Sequence, residues 1–346
     1  MRWVVGLCVA AVLVLASGCA SPPKPRTRTG SLPFPGLFTL YAVADVEDLD
    51  PHSYGMTLPF RNGSRGIFYT ERAGFIDMSH VRWTIDWSWY YHQRVRTALL
   101  AEQERLRLAT GMPSRLHMHF HYPGDWATWP ADARAEAIDD LSLRIAQEAA
   151  WVLGLWYEFA TYFGYASTVV LPESQSAFTY EDNFSHLIGL KVFEQALAEK
   201  DCDFDAAVTT ALDAMLPALE PYGPDASHEA VLAVKDAWWR DGTAISRHFE
   251  LGLDGEPVRP WLIPDEPGGP GRYGAPWRVP GMHDLEDPAL RHFVSLAIEP
   301  RIWQASAIRR AAGTTQPHIR PDHFPALVEH VREAILDAHG PDADRP

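Results

Sequence analysis

The sequence predicts an α+β fold, a helix-rich single domain with a small, mainly antiparallel sheet, on three observations. Two long stretches repeat their apolar residues at steps of three and four, the helical period. Between them, Arg115 to Tyr122 alternates strictly, which is the period of a strand. No internal repeat occurs, and no inner boundary is as clear as the tether near the N-terminus, so one domain is the economical arrangement. With 346 residues, 47% of them hydrophobic, the chain has enough apolar material for a real core.

The N-terminus reads as an address. Arg2 precedes an apolar run from Val4 to Leu15, too short to span a bilayer, which marks residues 1–18 as a signal peptide. The run ends in Leu15-Ala16-Ser17-Gly18-Cys19, which resembles the lipobox of bacterial lipoproteins, with cleavage after Gly18 and acylation of Cys19. Ala16 departs from the leucine preferred there. Residues 19–35, rich in Pro with Lys24, Arg26 and Arg28, form a flexible tether. Ala20 and Ser21 carry no signal for inner-membrane retention. By that resemblance the protein is anchored to the cell outer membrane on its periplasmic face.

The globular domain is expected over residues 36–340, with 341–346 a disordered tail. Leu37 to Val43 and Gly66 to Tyr69 are β-prone pieces broken by Pro51, Pro59 and Asn62-Gly63. From Ser79 to Thr110, before Gly111, Trp83, Trp87, Tyr90, Tyr91, Val95 and Leu99 mark a first long helix, with Asp77 or Ser79 as its cap. The strand at Leu116 to Tyr122 follows. A second long helix, Asp132 to Phe163, has a seam of Leu141, Ile145, Val152, Leu155, Phe159 and Tyr162, and is expected to pack on the first. Further helices fit Tyr180–Lys200, Phe204–Leu219 and Ser227–Arg240, each introduced by Ser, Thr or Asp. Ala244–Leu251 and His292–Ile298 alternate like strands. Between them a Pro- and Gly-rich stretch, 252–288, is either wrapped on the body or a lid. A last helix follows Pro321 and reaches about Ala338.

Composition removes several function classes. A formal charge of −15 disfavours nucleic acid, whose phosphates need a basic face. A mean hydropathy of −0.18 excludes an ordinary multi-span membrane protein. Of the three cysteines, Cys8 leaves with the leader and Cys19 carries lipid, so no disulfide forms within the mature chain. Cys202 reads as a buried small residue. There is no HExxH, no paired CxxC, no Gly-rich phosphate loop and no GxSxG elbow.

What chemistry remains rests on polar residues in apolar settings. Asp77 and His80, three residues apart at a helix start, suit a cap; they also suit a pocket mouth where His80 is general base or metal ligand and Asp77 fixes its tautomer. Arg82 complements an anionic substrate or pairs with a surface carboxylate. Glu148 interrupts the second helix's apolar seam, where an unpaired carboxylate is costly, so it needs a partner; His80 and His121 are the preferred ones, with Glu158 nearby. These carboxylates serve either a catalytic or metal site or a buried network that joins helices. His117, His119 and His121 share one strand face. Two of them can share an ion, though a row facing solvent is the simpler reading. In Glu173 to Asp182, Thr179 and Asp182 resemble a capping box and Ser176 can cap too. Glu173 and Glu181 remain as candidates for an acidic site that takes a cation or a sugar.

Gly74-Phe75-Ile76-Asp77-Met78-Ser79-His80-Val81-Arg82, Glu173 to Asp182, and Pro260-Trp261-Leu262-Ile263-Pro264 resemble an uncharacterised family of bacterial lipoproteins, DUF4056, over roughly Pro35 to Gly340. The resemblance implies the anchor and the single domain, and no activity. Two functions compete. One is a lipid-anchored hydrolase of an envelope component, with His80, Glu148, Glu158 and Glu173 catalytic, Asp77, Arg82, Ser176 and Glu181 binding substrate, and His80, Glu148 and His121 holding a divalent metal. The other is a non-catalytic lipoprotein that binds an envelope protein or glycan through an aromatic surface; exposed Trp favours it.

Overall fold

The computed structural model describes residues 22–25, 45–55, 66–165, 176–199, 202–241, 243–266 and 269–346. The leader, Cys19, most of the tether, the expected strand Leu37–Val43 and Glu173 lie outside the described residues. A hairpin comes first, β1 (Ile67–Thr70) antiparallel to β2 (Gly74–Asp77), with Thr70 opposite Gly74. Gly74 has φ +66°, and a Cβ there would fall 2.1 Å from the Trp261 carbonyl oxygen, so only glycine fits. Asp77 ends β2 and caps the next helix, accepting the Ser79 N–H at 2.6 Å.

That helix, α1 (Met78–Leu100), is buried on almost every side as far as His92. A helix apolar around its whole circumference belongs in the middle of a bundle, and α1 packs against both α2 (Ala131–Tyr162) and α3 (Asp182–Ala198). The expected first helix ran on to Thr110. It stops at Leu100, and Arg105–Ala109 forms β3 instead. The missing Pro and Gly concealed a change of period, because Arg105, Leu106, Arg107 and Leu108 alternate as a strand does.

β3 pairs with β4 (Ser114–Phe120), Arg107 facing His117, and β4 pairs on its other side with β11 (Val294–Pro300), His117 facing Ala297. All three strands are antiparallel. Leu108, Leu116, Met118, Phe120, Leu296 and Ile298 cover the core from this sheet. The helical bundle continues with α4 (Phe204–Ala218), capped by Asp203, and α5 (Pro224–Ala233). α5 is shorter than expected, since the chain turns at Asp236, with φ +67°, and buries Trp238 and Trp239. Cys202 lies on the α3–α4 connection and is exposed, not buried.

Ala244–Leu251 is not a strand beyond its first residue. β5 (Trp239–Arg240) pairs with β6 (Thr243–Ala244), after which Arg247 and His248 turn inward to bond backbone groups of Ala177 and Phe178. The 252–288 stretch is wrapped on the body. β7 (Pro257–Val258) pairs with β10 (Trp277–Arg278), and β8 (Trp261–Leu262) pairs with β9 (Arg272–Tyr273). α6 (Ala305–Ala311) and α7 (Phe324–His339) close the chain. Residues 341–346 are docked and not a disordered tail: Ala343 is buried, its carbonyl accepts the Arg247 N–H at 2.8 Å, and Asp344 pairs with Arg332. A large terminal carbonyl-bearing turn can be ordered when it fills a hole in the core and satisfies a buried donor.

Nearly all buried apolar residues join one cluster. A smaller one, built on Trp238, Trp239 and Trp261, touches the first through the hairpin, because Phe68 and Ile76 face one cluster while Ile67, Tyr69 and Phe75 face the other. The architecture is therefore a single helix-rich α+β domain with small antiparallel sheets. Among the described residues no helix is long and apolar enough to cross a membrane.

Candidate functional site

Three helices bring their charged residues to one place. His80 comes from the first turn of α1, Glu158 from the last turns of α2, and Asp182 and His186 from one face of α3 at a spacing of four. One nitrogen of His80, one of His186 and one carboxylate oxygen of Glu158 lie within 4.8 Å of one another. His80 Nδ1 is 3.2 Å from Asp182 Oδ1 and 3.9 Å from Asp77 Oδ2. The two imidazole rings are 4.9 Å apart, centre to centre.

Each of these side chains is itself held. Asp182 accepts the Thr179 N–H at 2.7 Å and the Thr179 hydroxyl at 2.9 Å, the latter also reaching Glu181. Glu158 accepts the Phe178 N–H at 2.9 Å. Phe178 sits at φ +57°, a conformation a bulky residue adopts only when its surroundings enforce it. Here a fully buried ring and the bond to Glu158 do so. Nδ1 of His186 lies 2.6 Å from the Thr84 hydroxyl, which leaves Nε2 buried without a hydrogen-bond partner among the described residues. Gly154 lets α2 approach that imidazole, since a Cβ there would meet the ring at 3.2 Å.

The electrostatics follow from four carboxylates in one buried cluster. Burial pushes Glu158 well above the usual carboxylate range, with Asp182 adding to the shift and His80 opposing it. Burial also raises Glu181, up to about 8, again with Asp182 contributing. Asp77 is raised by burial against the pull of His80. Burial would raise Asp182 too, but its contact with His80 reverses the direction and holds it ionised. Burial alone would depress His80; the Asp182 contact and the charges of Asp77 and Glu158 outweigh it and lift His80 to about 10. His186 is depressed to about 3, by burial first and by the neighbouring His80 second. An imidazolium on His80 beside neutral His186, with protons retained on Glu158 and Glu181, is the charge state this describes. The His80 side chain is 24% exposed, so the cluster is open to solvent at that one histidine.

The other predicted residues lie elsewhere. Glu148 stands ten positions before Glu158, about 15 Å along α2, and accepts the Met282 N–H at 3.2 Å. It is half-buried and paired as the seam required, but with backbone and not with His80 or His121. His121 is exposed past the end of β4 and bonds the Ser295 hydroxyl at 2.8 Å. The expected metal set of His80, Glu148 and His121 is thus not brought together, because a helix rise and a sheet separate its members. Arg82 is buried, donates to the Asp50 carbonyl, and lines a cavity of about 510 Å³ with His52, Thr209 and Tyr222. Ser176 is exposed. Sequence reasoning treated Asp182 only as a cap and passed over His186. The Asp-x-x-x-His spacing on α3 was the available signal.

Fold and site together define a helix-rich α+β protein with a buried histidine–carboxylate cluster between three helices. The family model described as Protein of unknown function (DUF4056) matches residues 11–252, and the chain belongs to that family. The match contains every residue of the cluster. The resemblance expected as far as Gly340 is wider than the match, and Pro260–Pro264 falls beyond it. No curated protein and no solved structure matches the chain.

Proposed function

We propose that the protein is a metal-dependent hydrolase of a cell-envelope component, with His80, His186 and Glu158 as metal ligands and Asp182 orienting His80. The observation that carries the reading is the donor set: two imidazoles and a carboxylate within 4.8 Å, one buried imidazole nitrogen lacking a partner, and more buried carboxylates than cations. Two histidines and one glutamate, leaving a position open, are a donor set of catalytic zinc sites. A divalent ion there would supply Lewis-acid polarisation and a water of lowered pKa. With its Nδ1 proton donated to the Thr84 hydroxyl, His186 would present an unprotonated Nε2 to the ion, and the Asp182–Thr179 contact keeps His80 oriented. To ligate a cation, Glu158 would give up its carboxyl proton and His80 its second ring proton, so uptake would release protons. Glu173 remains a candidate by sequence only.

Zinc titration of chelator-treated protein by calorimetry tests the reading. About one zinc per chain is expected, with proton release, and Glu158→Gln or His186→Gln should weaken binding more than about 100-fold, beyond the loss typical of an outer partner. No zinc, manganese or iron uptake, or equal uptake by both variants, would overturn it. We propose further that the chain is a lipoprotein acylated on Cys19 and held on the periplasmic face of the outer membrane, which the leader and lipobox support. Loss of membrane fractionation in Cys19→Ala is the expected result. The non-catalytic alternative, binding an envelope protein or glycan, is favoured by Trp303, which is 99% exposed.

A further inference from the structure

The sheet β11–β4–β3 buries one face and leaves the other open. Arg105, Arg107, Arg115, His117 and His119 stand on that open face, opposite the core-facing Leu116 and Met118. A concavity of about 450 Å³ over it is lined by Arg105, Arg107, Arg320, His117 and His119 and by no carboxylate among the described residues, with Asp322 behind the lining paired to Arg320 through two bonds of 2.7 and 3.1 Å. In a chain of net charge −15 this is a concentration of the minority charge on one surface. Glu299 sits at its edge, where Arg107 at 2.8 Å, His117 at 3.0 Å and Arg301 at 3.0 Å already hold its carboxylate. His117, Glu299 and His318 have donor atoms close enough for a metal. Two guanidinium groups on the shared carboxylate make the place hostile to a cation and favourable to an anion.

A second observation lies at the end of the same sheet. The Arg301 N–H donates to the Pro113 carbonyl at 3.0 Å, beside the start of β4, and two residues further on Trp303 projects with 99% of its surface exposed. An indole has an apolar body and a polar N–H, and such rings sit at the headgroup level of bilayers. We infer that this sheet face and Trp303 dock the protein on an anionic bilayer surface, the arginines meeting lipid phosphate groups and the indole entering among the headgroups. Charge complementarity selects the occupant, since juxtamembrane cations are drawn to anionic lipid while the remainder of this acidic molecule is repelled by it. The docking does not depend on the His80 cluster.

The test is co-sedimentation of the full chain made without acylation, as Cys19→Ala, with phosphatidylcholine vesicles, with and without phosphatidylglycerol. Tighter binding to the anionic vesicles is expected, weakening as salt rises. Arg105→Gln with Arg320→Gln should lower affinity for anionic vesicles on the order of twenty-fold, at about five-fold for each charge. Trp303→Ala should lower it several-fold, and Arg240→Gln, outside this face, should leave it unchanged. Arg105, Arg320 and Trp303 are exposed, so their replacement leaves the fold in place. Equal binding to both vesicle types, or unchanged binding of the double variant and of Trp303→Ala, overturns the inference. So does displacement by inorganic phosphate at the lipid-phosphate concentration, which would mean that the face takes a free anion.

Discussion

Glu148 and Glu158 lie on the same helix and meet different fates. Both are acidic residues set against apolar neighbours, and both are pushed upward by burial, Glu148 to about 7. Among the described residues Glu148 meets the Met282 N–H and the unfavourable charge of Asp254, so it acts as a strut for the turn at Gly281–Asp284. Its effect on stability has a definite sign. Below pH 4.5 both folded and unfolded chains carry the proton; between 4.5 and about 7 the unfolded chain releases it while the folded chain retains it, so stability falls as pH rises. Glu148→Gln keeps an oxygen for Met282 and removes that cost. The variant should be more stable than the parent at pH 8 by about 1–3 kcal/mol and lose the advantage near pH 4. Urea denaturation across that range measures it, and a pH profile parallel to the parent's would refute the strut. Zinc binding should not change.

Close approach between elements decides where the cluster sits. Gly189 on α3 faces α1, and a Cβ there would lie 2.6 Å from the Val81 carbonyl oxygen and 2.7 Å from Thr84 Cβ. Gly189→Ala therefore forces the two helices apart, with an expected destabilisation of about 1–3 kcal/mol. Gly154→Ala on α2 presses instead on the His186 ring, which can rotate at the expense of its Thr84 contact. Its stability loss should be smaller, and its zinc affinity should fall along with that of Thr84→Val. Unaltered zinc affinity in both Gly154→Ala and Thr84→Val would count against His186 as a ligand. At this scale most helices were legible in the sequence, since their apolar period and caps are local signals. The end of α1 was not, because four alternating residues in β3 also fit one more helical turn, and pairing with β4 decides between them.

For the whole molecule, the last residues are part of the body. Deleting 341–346 removes buried Ala343 with its bond to Arg247, and the Asp344–Arg332 pair. Arg247 in turn donates to the Ala177 carbonyl at 2.8 Å, next to Phe178, whose N–H holds Glu158. Truncation should cost about 1–3 kcal/mol, the penalty of an unsatisfied buried donor, and lower the melting temperature by several degrees. A truncated chain that melts with the parent would mean that the tail only rests on the surface.

The sequence by itself determined the fold class, the two long helices, the strand with its outward histidines, and the position of His80 at a helix start, because apolar period and capping depend on neighbours a few residues away. It also marked Glu148 as a carboxylate in need of a partner and Glu158 as a second carboxylate beside the same seam. Which partners they found was a matter for the tertiary structure. Glu158 lies 78 positions from His80 and 24 from Asp182 in the chain, and only the packing of α1, α2 and α3 makes them neighbours. Asp182 looked complete as a cap and His186 as one more buried helix residue; both acquire chemistry only when a second and third helix place charge against them in a medium where water cannot screen it.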